Sequence, residues 1–261
     1  MRFTGGKMNK ITLPVLKGMK EKHDKISVVT CYDASFARLV EKAEIESVLV
    51  GDSLGMVIKG EENTLNVSIE EMEYHVRAVK RAVKNAFIIA DMPFGSYQAS
   101  IESGVRNAVK LLKAGAEAVK LEGGEEIAGL VKTLTRSGIP VCGHVGLTPQ
   151  FVNKFGGFLK QGKNDEEREF IFKSAKCIEE AGADLIVLES IPHTLAAEIT
   201  RALKIPTIGI GAGNDTDGQV LVIYDLLGMN QDFNPSFLKK YCDLDKVVSS
   251  ALSAYKKDVK S

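Results

Sequence analysis

Five apolar segments of this 261-residue chain each end in a side chain that could take part in catalysis or metal binding. The five residues are Asp52, Asp91, Glu122, His144 and Glu189, which follow SVLVG, FIIA, AVKL, PVCG and LIVL. In parallel α/β folds the carboxyl ends of the strands carry the ligand site. A single acid after a strand can simply cap the next helix. Five such residues in succession predict a lined pocket with enough carboxylate to hold a metal ion.

Three of these acids, Asp52, Asp91 and Glu122, follow successive strands and supply oxygen ligands. Oxygen ligands without clustered histidine or cysteine favour Mg²⁺ over zinc or copper. Three carboxylates around one point repel one another, so a cation or a raised pKa is required there. Asp52 or Asp91, taken alone, is equally well explained as a helix cap.

The remaining polar residues at the strand ends each have a structural and a functional interpretation. Lys120 lies two residues before Glu122 on the same strand face, and it could neutralise a substrate anion or form a structural ion pair. His144 could be structural or could line the site. Glu189 ends the sixth predicted strand, where it could act as a general base or cap the next helix.

Two loops at the predicted mouth also suggest ligand binding. Gly209, Gly211 and Gly213 follow the seventh strand. Such glycines can cradle a phosphate, let the backbone approach a flat ligand, or make a tight link to the next strand. The long segment 146–164, which contains a Gly-Gly pair and several aromatic residues, indicates a mobile lid.

The elements that must position these residues alternate along the chain. Eight apolar runs predict strands at 26–30, 47–51, 87–91, 118–122, 140–144, 185–189, 206–210 and 219–224. Amphipathic helices separate most of them, one of which begins with a capping box formed by Ser68 and Glu71. We predict an α/β fold, a (β/α)8 TIM barrel rather than a doubly wound open sheet, because polar residues end five successive strands. Only GAGNDTDG separates the last two strands, so the barrel is irregular near its closure.

Segments outside this repeat predict additional helices. A short helix within 11–22 precedes the first strand and would cover the bottom of the barrel. Two helices, over 235–242 and 244–259, would follow the last strand and could pack on the barrel or on another subunit. We therefore expect one barrel domain over 1–261, with 1–10 as a disordered leader.

Composition excludes several classes of function. The 34 basic and 34 acidic residues balance, which argues against nucleic acid or an acidic membrane as the main partner. No apolar stretch is long enough to span a bilayer, and the start lacks the apolar core of a secretory signal. The four cysteines are scattered, without metal-binding spacing. A cytoplasmic protein is expected.

Several motifs in a fixed order resemble one known family. TCYDASFA, VGDSLGM, ADMPFGSY, KLEGG, CGHVGLTPQ, VLES and IPTIGIGAGNDTDGQ are similar to those of the ketopantoate hydroxymethyltransferases, over about residues 11–240. The resemblance implies a (β/α)8 barrel and Mg²⁺ dependence. It also implies transfer of a hydroxymethyl group from 5,10-methylenetetrahydrofolate to 3-methyl-2-oxobutanoate. The product, 2-dehydropantoate, leads to pantothenate and coenzyme A.

The same resemblance assigns roles to individual positions. The implied metal ligands are Asp52, Asp91 and Glu122. The implied contacts to the keto acid are Asp52, Ser53, Asp91, Lys120 and His144. Glu189 matches the proton acceptor, which would act on the keto acid to form a Mg-chelated enolate. The resemblance further implies a large homo-oligomer, a ring built of dimers.

Two rival interpretations remain open on the sequence. The first is a metal-dependent oxo-acid C–C lyase of the phosphoenolpyruvate/pyruvate barrel superfamily, which would use the same acids but no folate. The second is a barrel without enzymatic activity, which binds a ligand or serves in an assembly and whose acids only cap helices.

Overall fold

A closed barrel of eight parallel strands forms the centre of the molecule. The computed structural model describes residues 9–231 and 233–261, so most of the expected leader lies outside the described residues. Each strand pairs with the next in sequence, and the eighth pairs with the first, which confirms the predicted barrel. The strands are β1 (Ile26–Thr30), β2 (Ser47–Val50), β3 (Phe87–Asp91), β4 (Ala118–Glu122), β5 (Val141–Gly146), β6 (Leu185–Glu189), β7 (Thr207–Ile210) and β8 (Gly218–Leu221).

Helices surround the barrel and connect most of the strands. They are α1 (Leu13–Lys22), α2 (Ala34–Lys42), α3 (Leu54–Val57), α4 (Ile69–Lys80), α5 (Ile101–Ala114), α6 (Glu125–Arg136), α7 (Val152–Phe155), α8 (Asp165–Glu180), α9 (His193–Ala202), α10 (Ile223–Leu226) and α11 (Leu244–Lys260). The predicted capping box begins α4: the Glu71 N–H donates to Ser68 Oγ at 3.2 Å, and the Ser68 N–H donates to Glu71 Oε2 at 2.8 Å. As predicted, no helix lies between β7 and β8 in the fully described stretch 211–217.

The alternation of side chains along the strands positions the site. One face of each strand fills the barrel interior, where apolar residues form a second core separate from the strand–helix core. The interior residues include Ile89 of β3, Cys142 of β5 and Val187 of β6. The residue two positions further along each of these strands is Asp91, His144 and Glu189, respectively. Because side chains two residues apart on a strand face the same side, these polar residues also face the barrel interior. They form its last layer, at the carboxyl ends of the strands.

Helix α1 closes the opposite end of the barrel, as predicted. Leu16 is fully buried and packs with the interior cluster. Two lysines of α1 bind acids that immediately precede strands. Lys17 Nζ lies 2.7 Å from Asp184 Oδ1, and Lys20 Nζ lies 2.6 Å from Asp217 Oδ2. The bottom of the barrel is thus sealed by apolar side chains of α1, of which Leu16 is the fully buried one, and ion pairs flank them.

Shortening the Leu16 side chain should destabilise the whole fold. We expect Leu16→Ala to lower the free energy of unfolding by about 2–5 kcal/mol, because it leaves a cavity in a closed apolar layer. The matched control is Leu39→Ala, since Leu39 is 59% exposed on α2. Denaturant unfolding of both variants checks this prediction. Equal effects of the two substitutions would show that α1 does not seal the barrel.

The segment after β8 corrects one expectation from the sequence. Residues 235–242 do not form a helix, whereas α11 is present close to its predicted bounds. The Tyr241 N–H donates to the carbonyl of Leu226 in α10 at 2.8 Å. This N–H is therefore not available for a hydrogen bond within a helix over 235–242. Phe237 packs against Gly211, where a Cβ would approach its ring at 3.2 Å. None of the helices in the described part of the chain has the length and apolar composition needed to cross a membrane.

Candidate active site

Strand register brings the predicted acids to Lys120. In the β3–β4 pair Asp91 lies beside Lys120, and in the β4–β5 pair Glu122 lies beside His144. Lys120 Nζ consequently lies 3.2 Å from Asp91 Oδ1 and 3.6 Å from Glu122 Oε1. All four residues are buried. The structure therefore gathers them into one charged cluster at the carboxyl end of the barrel.

Glu189 joins this cluster through His144. His144 Nε2 lies 3.2 Å from Glu189 Oε2, and His144 Nδ1 lies 3.4 Å from Glu122 Oε1. The Glu189 side chain keeps 21% of its surface exposed, whereas the His144 side chain keeps 3%. Glu189 is therefore the carboxylate of the group that a ligand in the cavity reaches most easily.

Asp52 and Ser53 approach the cluster from the loop after β2. The Asp52 N–H donates to Asp91 Oδ2 at 2.9 Å, and the Asp52 side chain is buried. Ser53 Oγ and the Tyr32 hydroxyl share a hydrogen bond of 2.8 Å. Asp52, Asp91 and Glu122 thus lie at the ends of three neighbouring strands, as the sequence predicts.

Gln150 connects these acids and was not singled out by the sequence. It is buried in the 3-10 turn Pro149–Phe151 after β5. Its Nε2 donates to Asp52 Oδ2 and to the Met92 carbonyl, each at 2.9 Å, and its N–H donates to Glu122 Oε2 at 2.9 Å. The side-chain amide of Gln150 therefore orients Asp52, and its backbone N–H orients Glu122, so that one residue orients two of the predicted metal ligands. The only sequence signal is a polar residue shortly after a strand end.

Burial and mutual contacts shift the pKa values of the cluster. Burial raises the pKa of Asp52, and the carboxylates of Asp91 and Glu122 raise it further. Burial alone would lower the pKa of Lys120, but the surrounding carboxylates raise it above its ordinary value. Burial alone would raise the pKa of Glu122, but Lys120 and His144 lower it. The cluster therefore holds Lys120 as a cation and Glu122 as an anion.

His144 experiences opposing effects. Burial and Lys120 lower the pKa of His144, whereas the nearby carboxylates of Glu122 and Glu189 raise it, for a net value of about 9. The imidazolium form is therefore favoured at neutral pH. The 3.2 Å distance between Lys120 Nζ and His144 Nδ1 is then a contact between two cations, which the surrounding carboxylates compensate.

A cavity of about 1310 Å³ opens above the cluster. Asp52, Lys120 and Glu189 line its floor, and the loops after β2, β5 and β8 form its walls. Of the three glycines Gly209, Gly211 and Gly213, the first of which lies within β7, only Gly211 lines it. The other two pack closely instead: a Cβ would lie 2.7 Å from Thr216 Oγ1 at Gly209 and 2.6 Å from His193 Cβ at Gly213. Motion of the 146–164 segment stays a prediction.

The carboxylate oxygens of the cluster are the kind of ligand that a hard divalent cation prefers. Asp91 Oδ1 and Glu122 Oε1 are buried and accept no hydrogen bond, although both lie near the Lys120 ammonium. Buried carboxylate oxygens without donors require a cation or a proton. In the present side-chain positions, however, no three His, Cys, Asp or Glu residues in the described part of the chain lie close enough together to coordinate a metal ion. Lys120 lies between Asp91 and Glu122 instead.

Comparison with known proteins identifies the family. A sequence model described as ketopantoate hydroxymethyltransferase matches residues 10–261. The 3-methyl-2-oxobutanoate hydroxymethyltransferase of Thermotoga maritima is 56% identical over 94% of this chain and 90% of its own length. The enzyme of the same name from Syntrophus aciditrophicus is 53% identical over 99% of this chain and 95% of its own length.

Solved structures share the fold at low sequence identity. A phosphoenolpyruvate phosphomutase from Streptomyces platensis superposes with a TM-score of 0.66 at 12% identity, covering 94% of this chain and 88% of that one. Phosphonopyruvate hydrolase in complex with oxalate and Mg²⁺ superposes with a TM-score of 0.62 at 16% identity, covering 80% of each chain. These similarities concern the barrel alone. The match over residues 10–261 and the high identities show that this chain belongs to the ketopantoate hydroxymethyltransferase family.

Proposed function

We propose that this chain transfers a hydroxymethyl group from 5,10-methylenetetrahydrofolate to 3-methyl-2-oxobutanoate and releases 2-dehydropantoate for pantothenate and coenzyme A biosynthesis. The observation that carries the proposal is the position of Glu189. It is a partly exposed carboxylate on the floor of a large cavity, and His144 connects it to the buried group of three acids and one lysine. This arrangement suits removal of a proton next to a carbonyl group.

The metal that we propose is Mg²⁺, held by Asp52, Asp91 and Glu122. Carboxylate oxygens are the ligands that this ion prefers, and two of the acids have oxygens without hydrogen-bond donors. When bound, the ion would supply Lewis-acid stabilisation of negative charge that develops on the keto oxygen. Gln150 would keep Asp52 and Glu122 oriented, because it donates to both.

The chain's own residues would bind the keto acid and move its proton. Lys120 would neutralise the substrate carboxylate, and Ser53, held by Tyr32, would contribute a hydroxyl contact. Glu189 would accept the C3 proton, and the electron pair of the broken C–H bond would form the new bond to the methylene carbon of the folate. Both C–N bonds that hold this carbon to the folate break during the transfer, and one water supplies the hydroxyl oxygen. The two folate nitrogens take up the proton from Glu189 and one proton from the water, and tetrahydrofolate leaves. His144 would keep Glu189 in place.

Neutralising one proposed ligand should affect the metal more than the fold. We expect Asp52→Asn to raise the Mg²⁺ concentration needed for half-maximal activity by about tenfold or more, because a ligand is lost. The folded state should not suffer, since Asp52 is buried beside two other carboxylates that repel it. Activity against Mg²⁺ concentration and the thermal midpoint check this, with the exposed Asp258→Asn as control. An unchanged Mg²⁺ requirement would remove Asp52 from the metal site.

Transfer of labelled carbon tests the reaction itself. With 5,10-methylenetetrahydrofolate labelled in its methylene carbon, the label should appear in the hydroxymethyl group of 2-dehydropantoate, detected by NMR. The rival reaction, metal-dependent C–C cleavage of an oxo acid, needs no folate. Turnover of an oxo acid without tetrahydrofolate, and no transfer of label, would favour the lyase.

We also propose that 1–261 forms one barrel domain of a cytoplasmic homo-oligomer, a ring built of dimers. Helix α11 supports an interface, because it has no buried residue. Its exposed apolar residues are Val247, Val248, Leu252, Tyr255 and Val259. Light scattering on the purified chain tests the proposal: a monomeric mass would contradict it.

A further inference from the structure

The wall of the cavity formed by the loop after β8 contains an acid that the proposed chemistry does not use. Asp225 lies in α10, lines the cavity and is only 7% exposed. Its Oδ1 is buried without a hydrogen-bond partner. Thr64 Oγ1, in the loop after β2, lines the same cavity and is also buried without a partner. Buried acceptors without donors are costly, so both atoms indicate a polar ligand.

This wall lies next to the keto-acid site. Strand β1 pairs with both β2 and β8, so the loops that follow these strands are neighbours. Tyr32 connects them: its hydroxyl bonds Ser53 Oγ, and its ring stacks on Tyr224 with 6.0 Å between centroids and 7° between planes. Burial raises the pKa of Tyr32, and the charges of both Asp91 and Asp225 raise it further. Asp225 is therefore within electrostatic reach of a residue that also contacts the reaction centre.

The outer part of the cavity is apolar. Six large apolar residues that line it are substantially exposed: Met56, Ile58, Phe158, Met229, Phe233 and Phe237. An exposed apolar surface around a cavity is typical of a ligand-binding site. The combination of an apolar rim with a buried carboxylate fits a flat aromatic ligand that carries N–H donors on one edge.

We infer that Asp225 binds the pyrimidine edge of the pterin ring of the folate. This inference rests on the proposed function. The N3–H and the 2-amino group of a pterin lie side by side in the ring plane, as the donors of a guanidinium group do. A carboxylate accepts such paired donors in a charge-assisted contact. Asp225 would thus select and orient the co-substrate, while Glu189 and the buried acids act on the keto acid.

Binding measurements on the full chain with Mg²⁺ test this assignment. Calorimetry would compare tetrahydrofolate with an analogue whose 2-amino group is replaced by methyl. The parent protein should bind tetrahydrofolate about 10- to 100-fold more tightly than the analogue, because a bond to a charged acceptor is lost. Asp225→Asn should bind the two ligands with similar affinity. The control Asp215→Asn, exposed in the link between β7 and β8, should discriminate as the parent does.

The outcomes separate this inference from the proposed function. If the parent binds tetrahydrofolate and Asp225→Asn keeps the full discrimination, the assignment of Asp225 is wrong and the folate reaction stands. If the parent binds no tetrahydrofolate, the proposed co-substrate is wrong, and the inference fails with it. Should Asp225→Asn not fold, the parent alone decides: equal affinity for the two ligands would overturn the inference. Kinetics provide a second measurement. In Asp225→Asn the KM for the folate should rise more, relative to the parent, than the KM for the keto acid.

Discussion

Replacing Glu189 with glutamine is expected to slow isotope exchange at C3 of 3-methyl-2-oxobutanoate by about 10²- to 10⁴-fold, the contribution of a positioned general base. Glutamine has the same shape but accepts no proton. It can keep the contact to His144 Nε2, which lies 3.2 Å from Glu189 Oε2. The loss should therefore report proton transfer rather than a rearranged site. Exchange is measured without folate, so co-substrate binding does not enter the result.

A second glutamate provides the control for this experiment. Glu198 lies on α9, with 55% of its side chain exposed, outside the cavity lining. Glu198→Gln should exchange the C3 proton as fast as the parent. An exchange rate of Glu189→Gln within about threefold of the parent would exclude Glu189 as the base. His144, the nearest titratable neighbour, would then be the next residue to test.

Replacing Lys120 with methionine should destabilise the protein by about 3–5 kcal/mol, the cost of removing one partner from a buried ion pair. Methionine keeps the length of the side chain but removes the ammonium that lies 3.2 Å from Asp91 and 3.6 Å from Glu122. The KM for the keto acid should also rise, because the proposed partner of the substrate carboxylate is lost. Denaturant unfolding without Mg²⁺ measures the first effect.

Lys110 offers a matched comparison at the surface. Its Nζ lies 3.1 Å from Glu70 Oε1, but the two side chains keep 41% and 69% of their surface exposed. Lys110→Met should cost less than about 1 kcal/mol, because water and salt screen exposed ion pairs. If Lys120→Met lowered the free energy of unfolding no more than Lys110→Met does, the ion pairs of Lys120 with Asp91 and Glu122 would not stabilise the fold as the geometry indicates. Added Mg²⁺ should restore part of the stability of Lys120→Met, since the acids then gain another cation.

The barrel and its polar layer could be predicted because the information is local. Each buried strand is a continuous apolar run, and the residue that ends the run faces the interior by the period of two. Asp91 follows Ile89 in this way, and Glu189 follows Val187. The roles of these residues required the resemblance to a known family, since the acids alone could equally have capped helices.

Features that depend on contacts between distant segments could not be predicted. Gln150 connects Asp52 to Glu122, but its role appears only when three strand ends meet. Residues 235–242 look helical in isolation, yet the Leu226 carbonyl accepts the N–H of Tyr241 and Phe237 packs on Gly211. The buried, unpaired oxygen of Asp225 is likewise a property of the folded loops.

The most direct test of the central claim is a crystal structure with Mg²⁺ and 3-methyl-2-oxobutanoate bound. We expect the ion to be held by oxygens of Asp52, Asp91 and Glu122, and the keto-acid carboxylate to face Lys120. C3 of the substrate should then face the carboxylate of Glu189. An ion bound away from these acids, or a keto acid whose C3 points away from Glu189, would contradict the account.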